Sequence, residues 1–279
     1  MTISVSYCIT CKGRLHHLCE TLPANLAAEA GNNDVEFVLL DYDSSDGLEA
    51  WVRDTLSDEI ARGRLVYARH EPAPNFKMAH SKNMAHRLGS GRILCNLDAD
   101  NLLPTNFSNF LNATFERDPD SVISPRKVTI VGFLRQRWLD RLLGIRRPGG
   151  GICGRIAISK VNFNKVGGYD EGFTAWGTDD IDFLLRARDL GITVRKLPQY
   201  VWGDVLDHDD EERVQNLSQK DRSVSNGRLK QSKLGYAKSR IAMLLRRGRV
   251  PANSQSGYGC GAVRIGFDGP MQQLGPVQG

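Results

Sequence analysis

Apolar residues in the N-terminal third of the chain alternate between short continuous runs and helical spacing. The runs ISVSYCIT, VEFVLLDY, RLVYARHE and ILCNL are mostly apolar and rich in β-branched and aromatic residues, and they predict strands. Between the first two runs, Leu15, Leu18, Leu22 and Leu26 lie three, four and four residues apart, as one face of a helix requires. The segments GLEAWVRDTLSDEIARG and MAHSKNMAHRLGSG predict two further helices. This alternation predicts an α/β fold whose mostly parallel central sheet is flanked by helices and joined by right-handed crossovers.

Polar clusters follow three of the predicted strands. They occupy residues 11–14, 41–46 and 98–100. Ligands of parallel α/β sheets bind beyond the carboxyl ends of the strands. We therefore expect the three clusters to converge on one edge of the sheet and to form the ligand site.

Asp98 and Asp100 form an Asp-x-Asp triplet directly after the fourth strand. The chain contains five such triplets, so the triplet alone also fits a solvated loop. Residues i and i+2 of a strand point the same way, which lets both carboxylates face one ligand. Each would repel a diphosphate charge by roughly 4 kcal/mol at 4 Å and an effective dielectric near 20. A divalent cation, Mg²⁺ or Mn²⁺, would turn that repulsion into attraction.

The second half of the chain has a different pattern. A predicted helix, TNFSNFLNATFERD, and a short strand, SVISP, precede a basic segment at 126–147 and three glycines at 149–151. Further on, the pattern predicts Thr178 as a helix N-cap, with Asp179 and Asp180 in the first helical turn. Acidic residues there also stabilise the helix dipole without any catalytic role, so the pattern alone leaves both interpretations open.

Composition indicates an ordinary globular protein. Of 279 residues, 41% are hydrophobic and 25% charged, which allows a sizeable core. No apolar run approaches the ~20 residues of a membrane span, and MTISVSYCIT does not resemble a secretory leader, so we expect a cytoplasmic location. Among the six cysteines, Cys8 and Cys11 have no second pair to complete a metal site, which favours reduced thiols.

Taken in order, four segments resemble the GT-A fold glycosyltransferases of family 2, with a second half similar to the C-terminal region of the galactosyltransferase family. They are SYCITCKGR, LLDYDSSD, HSKNMAHRLGSGRILCNLDADN and GGGICGRIAISKVNFNKVGGYDEGFTAWGTDDID. The likeness covers roughly residues 3–210. Two positions depart from the family pattern, because Lys82 replaces the usual Arg and Asp179 the usual Glu.

The resemblance implies a role for individual residues. It implies that Asp180 is the catalytic base, that Asp41 contacts the nucleotide base, and that Asp98 contacts the ribose or the metal shell. It implies a divalent cation, Mn²⁺ or Mg²⁺, bound by Asp100 and His208. The implied acceptor contacts are Asp179 and Trp176. The implied donor contacts are Thr10, Lys12, Arg14, Asp41, Lys82, Asp98, Gly150 and Gly151.

The expected activity is metal-dependent, inverting transfer of a sugar from a nucleotide-sugar, with UDP as the expected nucleotide, to a hydroxyl of a glycan or glycolipid, as in surface polysaccharide synthesis. Two alternatives stay open: a nucleotidyltransferase of similar fold, and a non-catalytic nucleotide- or glycan-binding protein. A nucleotidyltransferase would carry a glycine-rich loop after the first strand, where TCKGRLHH has a single Gly. A P-loop NTPase is excluded because no GxxxxGK[ST] motif occurs.

Charge is distributed unevenly along the chain. Residues 213–249 carry 11 Lys or Arg and one acid, a balance of +10, so the remainder carries −5 of the net +5. Segment 126–147 is also basic and interleaved with apolar residues. We hypothesise peripheral contact of both segments with an anionic membrane that presents a lipid-linked glycan. The alternatives are an acceptor-side lid for 126–147 and a solvated arm for 213–249. No nucleic-acid partner is expected.

The expected domain organisation is one GT-A domain at 1–210 and a basic, partly helical extension at 211–279. Within the domain, 1–104 would bind the nucleotide and 105–210 the acceptor. The composition after Pro251 is rich in Gly, Gln and Ser, which predicts a poorly ordered tail.

Overall fold

The computed structural model describes residues 3–125, 155–174, 179–206, 210–229, 252–253 and 257–277. Its strands are β1 Val5–Cys11, β2 Val35–Asp41, β3 Leu65–Arg69, β4 Ile93–Asn96, β5 Asn101–Leu102, β6 Ser121–Ser124, β7 Ala157–Ser159, β8 Thr193–Lys196, β9 Asp204–Val205, β10 Gly261–Ile265 and β11 Met271–Leu274. Its α-helices are α1 Leu15–Ala28, α2 Leu48–Ala61, α3 Met78–Leu88, α4 Phe107–Arg117, α5 Lys160–Val166, α6 Asp179–Asp189, α7 Asp210–Val214 and α8 Gln219–Leu229.

Nine strands form one sheet in the order β11-β10-β3-β2-β1-β4-β7-β6-β8. Strand β1 pairs in parallel with β2 and β4, β2 with β3, and β6 with β8. Strands β7 and β10 run against the other seven. Strands β5 and β9 form a separate antiparallel pair. The predicted α/β fold with a mostly parallel sheet is confirmed.

Apolar side chains cover both faces of the sheet. Every residue of β2 is buried, as expected when successive side chains point to opposite, covered faces. Leu39 packs in a cluster with apolar residues of α1, α2 and α4. Leu40 packs in a second cluster with residues of α3, α5 and α6. The helices therefore hold the strand ends rigidly from both sides.

The predicted disorder after Pro251 is wrong for residues 257–277. Strand β10 extends the sheet at β3, pairing Arg264 with Arg69 and Ile265 with Ala68. Val263 is fully buried in the core, which anchors the strand. Composition did not predict this order because an otherwise open strand edge, distant in sequence, supplies the hydrogen-bonding partners.

Helices of the predicted C-terminal extension contact the rest of the chain. Val214 and Leu217 are buried, and the Asn216 Nδ2 group donates a hydrogen bond of 2.6 Å to the carbonyl of Lys12. These residues therefore pack against the loop that follows β1. The division of the chain at 210 stays a prediction.

Both segments predicted to contact a membrane lie largely outside the described residues. Segment 126–147 lies wholly outside, and only the part of 213–249 up to residue 229 is described. Within the described ranges, no helix combines the length and apolar character that crossing a bilayer requires.

Candidate active site

The three polar clusters converge as the strand order requires. Strand β1 lies between β2 and β4, with Cys11 paired to Asp41 and Cys8 to Asn96. The parallel strands therefore end at one edge of the sheet, and the loops that follow them share that edge.

An ion cluster from α3 and α6 lies at this edge. The Lys82 ammonium donates to Asp179 Oδ2 at 2.9 Å and to Asp180 Oδ1 at 2.7 Å. Lys82 is 3% exposed and lies 5.0 Å from the centroid of the Tyr169 ring. Burial opposes its charge, yet the two carboxylates raise the pKa of Lys82 well above its ordinary value. Lys82 is therefore a fixed cation that joins helices distant in sequence.

Asp180 has the properties of a general base. Burial, together with the charges of Asp179 and Asp98, raises the pKa of Asp180 to about 7, although Lys82 opposes the shift. Its side chain is still 26% exposed, so a substrate can reach it. Asp182, two residues further along α6, instead pairs with Arg186 at 2.8 Å. A base with a pKa near 7 is well matched to proton transfer at neutral pH.

Asp179 is less accessible than its neighbour. Its side chain is only 5% exposed and one of its oxygens binds Lys82. The predicted contact with an acceptor therefore fits Asp180 better than Asp179 in this structure. Asp179 helps to hold the ammonium that orients Asp180.

Asp98 and Asp100 lie directly beyond β4. Asn96 Nδ2 donates to Asp98 Oδ1 at 3.0 Å, and Asn101 Nδ2 donates to Asp100 Oδ1 at 2.6 Å. Burial raises the pKa of Asp98, with Lys82 opposing the shift and Asp100 adding to it. The triplet is therefore held by neighbouring amides and is not a solvated loop.

The site carries excess negative charge. Among the described residues, four carboxylates and two cations at its centre interact electrostatically: Asp98, Asp100, Asp179, Asp180, Lys82 and Arg155. With all carboxylates ionised, four negative and two positive groups leave a balance of −2. Carboxylate oxygens with this excess suit a divalent cation such as Mg²⁺ or Mn²⁺, so the residues present fit the predicted metal.

Arg155 was missed by the sequence analysis. It is 1% exposed, and its Nε and Nη2 atoms contact Asn101 Oδ1 at 3.3 and 3.0 Å. In the sequence it follows shortly after the three glycines at 149–151. The sequence carried no signal that this arginine lies beneath the aspartate triplet.

Asp41 is placed differently from the expectation. It is fully buried, and its carboxylate accepts hydrogen bonds from the Ser44 amide at 2.7 Å, Tyr67 Oη at 2.9 Å and Arg69 Nη1 at 2.7 Å. Both oxygens are therefore engaged by protein groups. The predicted contact with a nucleotide base does not fit this burial, and Asp41 instead stabilises the loop after β2.

Lys12 likewise contacts protein groups. Its ammonium donates to the carbonyls of Tyr42 at 3.2 Å, Asp43 at 2.6 Å and Ala73 at 2.7 Å. An ammonium has three N–H donors, and all three have partners here. The predicted contact of Lys12 with the donor is therefore replaced by a role in joining the loops after β1, β2 and β3.

Thr10 and Arg14 remain at the edge. Thr10 is partly exposed near the end of β1. The Arg14 guanidinium lies 3.3 Å from both Glu212 Oε2 and His17 Nδ1. Among the described residues, His16, His17 and Glu212 form a group with metal-ligand spacing, but the Arg14 cation lies between two of them. This group is therefore a poor cation site.

Four predicted site residues lie outside the described residues: Gly150, Gly151, Trp176 and His208. One neighbouring contact is described. The backbone N–H of Leu206, the last described residue before the segment that contains His208, donates to the Asp100 carbonyl at 2.8 Å. Leu206 itself therefore lies beside the aspartate triplet.

A known protein family matches part of the second half of the chain. The family model described as the N-terminal domain of galactosyltransferase matches residues 141–208. No curated protein sequence matches the chain.

Three solved structures illustrate the fold. The mannosyltransferase PcManGT from Pyrobaculum calidifontis, in complex with GDP-Man and Mn²⁺, has a TM-score of 0.58 and 19% identity over 90% of this chain and 66% of its own. S. aureus TarS 1–349 in complex with UDP has a TM-score of 0.51 and 12% identity over 71% and 58%. GalNAc-T7 with UDP, GalNAc and Mn²⁺ has a TM-score of 0.51 and 15% identity over 69% and 42%. The chain thus spans 66% or less of each structure. It has the GT-A glycosyltransferase fold with a galactosyltransferase-like segment in its second half, as the sequence motifs predicted.

Proposed function

We propose that this chain is a metal-dependent, inverting glycosyltransferase that moves a sugar from a nucleotide-sugar to a hydroxyl of a glycan or glycolipid. The observation that carries the proposal is Asp180, a partly exposed carboxylate with a pKa of about 7 that Lys82 holds beside the aspartate triplet. Few structural roles require a carboxylate to be both accessible and poised between charge states at neutral pH.

In the proposed reaction, Asp180 accepts the proton of the acceptor hydroxyl. The hydroxyl oxygen forms a bond to the anomeric carbon while the bond from that carbon to the diphosphate oxygen breaks. Attack from the face opposite the leaving group inverts the configuration at this carbon. Lys82 keeps the carboxylate aligned, since it binds one oxygen of Asp180 and is itself anchored by Asp179.

The proposed ligands of the cation are Asp100 and His208, with Asp98 beside them. The excess negative charge of the site supports a divalent ion, and two of the similar structures contain Mn²⁺. When bound, such an ion neutralises charge that develops on the departing diphosphate. The chain itself holds the carboxylates in position before the donor binds.

The proposed donor is a UDP-sugar. Two of the three similar structures contain UDP, whereas the mannosyltransferase contains GDP-Man. Thr10, Arg14, Gly150 and Gly151 remain the proposed donor contacts. Lys12 and Asp41 would act indirectly, because they hold the loops that follow β1, β2 and β3.

The acceptor and its location are further parts of the proposal. We assign donor binding to 1–104 and acceptor binding to 105–210, because the Asp-x-Asp triplet lies in the first part and the base in the second. The basic segments 126–147 and 213–249 are the proposed contact with an anionic membrane at its cytoplasmic face. Sedimentation with anionic vesicles at low salt tests that contact, and no binding would contradict it.

The donor experiment is isothermal titration with UDP, GDP, CMP and dTDP, each with and without Mn²⁺. We expect one nucleotide to bind only with the metal, and Asp100→Ala to abolish that binding. Product analysis with the matching nucleotide-sugars then compares the wild type with Asp180→Asn. Loss of the base should lower kcat by 10²- to 10⁴-fold, whereas Asp189→Asn at the other end of α6 should not. Turnover by Asp180→Asn at the wild-type rate would contradict the assignment of the base.

A further inference from the structure

A buried arginine lies beneath the proposed metal ligand. Arg155 is 1% exposed, and two of its nitrogen atoms approach Asn101 Oδ1 at 3.3 and 3.0 Å. Asn101 Nδ2 in turn donates to Asp100 Oδ1 at 2.6 Å. We propose that Arg155 is a positioning residue that fixes the Asn101 amide so that Asp100 is oriented to bind the divalent cation. This inference rests on the proposed function.

Arg155, Asn101 and Asp100 form a hydrogen-bond relay, and the chemistry of the Asn101 amide sets its direction. A guanidinium only donates hydrogen bonds, and an amide carries one accepting oxygen and one donating nitrogen. Arg155 therefore forces the oxygen of Asn101 toward itself and the nitrogen toward Asp100. If the amide turned over, two donors would face each other and an amide oxygen would face a carboxylate. The orientation of Asp100 thus depends on a residue 55 positions away in sequence.

The backbone of Asn101 is also held firmly. Its N–H donates to the Asp98 carbonyl at 3.0 Å, and its carbonyl accepts from Asn25 Nδ2 at 2.8 Å. Arg155 Nη2 also contacts the carbonyl of Asp204, in the strand that pairs with β5, at 3.3 Å. The relay is therefore anchored at both ends to rigid backbone, which is what precise placement of a metal ligand requires.

Burial of the Arg155 guanidinium opposes folding, and a role in orienting Asp100 would explain its presence. Among the described residues it forms no ion pair within 4.0 Å, and its Nη1 atom is buried without a partner. Its hydrogen bonds go to a neutral amide and a carbonyl, although a buried guanidinium is stabilised best by a carboxylate. Asp98 and Asp100 are near enough to interact with its charge. Within the described residues, its charge and hydrogen bonds are therefore directed at the triplet and at Asn101 and not at a separate ion pair.

A purely electrostatic role of Arg155 and a positioning role predict opposite changes in metal affinity when Arg155 is removed. Arg155 repels a cation bound at Asp100, so removing its charge without disturbing the carboxylate should tighten metal binding. If Arg155 instead orients Asp100, its removal should weaken metal binding, because residues that orient metal ligands typically contribute 10- to 100-fold in affinity. The sign of the change in affinity separates the two roles.

The experiment is titration of each purified variant with Mn²⁺ alone, and with Mn²⁺ plus UDP, following free Mn²⁺ by electron paramagnetic resonance. We expect Arg155→Met to weaken Mn²⁺ binding by 10- to 100-fold. Arg155→Lys should weaken it less, since an ammonium keeps the charge but lacks the planar fork. Asn101→Ala should weaken it to a similar extent and should add little in combination with Arg155→Met, because both remove one relay.

Arg186→Lys is the matched control. Arg186 is likewise a buried arginine with an unpartnered nitrogen, but it binds Asp182 and the Val166 carbonyl. Its variant should bind Mn²⁺ as the wild type does. If Arg155→Met does not fold, Arg155→Lys and Asn101→Ala provide the same test.

The outcomes distinguish the inference from the proposed function. Unchanged or tighter Mn²⁺ binding in Asn101→Ala and the Arg155 variants, with binding lost in Asp100→Ala, would overturn the positioning role alone. A wild-type protein that binds no Mn²⁺ with or without UDP would overturn both. Weakened binding in the relay variants and not in Arg186→Lys supports the inference.

Discussion

Gly203 is the position at which a single methyl group should disturb both the fold and the site. It has φ +63°, and a Cβ atom added there would lie 2.1 Å from the carbonyl oxygen of Leu102. Gly203 directly precedes β9, which pairs with β5 immediately after the aspartate triplet. Gly203→Ala therefore forces the two short strands apart beside the proposed metal ligand.

The expected loss of stability in Gly203→Ala follows from the geometry. An alanine with this φ costs about 1–2 kcal/mol in backbone strain. To reach even 3.0 Å, the Cβ and the Leu102 oxygen must separate by 0.9 Å. If the 2.8 Å bond from the Leu206 N–H to the Asp100 carbonyl lengthens by the same amount, it reaches 3.7 Å and is lost. Losing one or two such bonds costs about 0.5–1.5 kcal/mol each, so the total with the backbone strain is about 1.5–5 kcal/mol.

Gly191→Ala is the matched control, because Gly191 has φ +83° but no atom within 4 Å of an added Cβ. It should lose only the backbone contribution, about 1–2 kcal/mol. Urea unfolding measures both free energies of unfolding, and titration with Mn²⁺ measures the site. We expect a larger loss of stability and weaker Mn²⁺ binding for Gly203→Ala alone. Equal losses in the two variants would refute the argument from crowding.

Three further predictions concern the ion cluster and the loops. Lys82→Met leaves the buried Asp179 and the partly exposed Asp180 without their cation and should lower the free energy of unfolding by about 3–5 kcal/mol, whereas Lys82→Arg should retain most of that stability. Urea unfolding compares the two variants, and equal losses would argue against the ion pair. In the wild type, kcat/KM should fall about tenfold per pH unit below about pH 7, because Asp180 must be ionised to accept a proton; a pH–rate profile that is flat from pH 5 to 8 would contradict its role. Lys12→Met removes three hydrogen bonds between loops and should weaken UDP binding in calorimetry, whereas Met in place of the exposed Lys77 should not.

Local sequence predicted the elements of the first half well. Strands β1 to β4 and helices α1 to α3 lie where apolar runs and helical spacing placed them. Their order alone required that the polar clusters after β1, β2 and β4 meet at one edge. These features depend on contacts within each element and on the handedness of crossovers, both of which are local.

The roles of individual side chains were harder to predict. Lys82 lies on the predicted helix, but its partners Asp179 and Asp180 are 97 and 98 residues away, and no local pattern pairs them. Asp41 occupies the predicted strand end, yet its burial depends on Tyr67 and Arg69 of the next strand. A motif indicates which residue types are present, whereas burial and pairing depend on elements that pack from elsewhere in the chain.

The sequence by itself determined the fold class, the edge of the sheet that carries the site and the residues that carry its negative charge. Only the tertiary structure decided which of those carboxylates are accessible, which cations balance them, and that β10 extends the sheet at β3. Periodicity and motifs act over a few residues, where the geometry of strands and helices is the same in every protein. Long-range pairing instead depends on which buried groups must find hydrogen-bond and charge partners, and in this chain those partners are brought together only by folding.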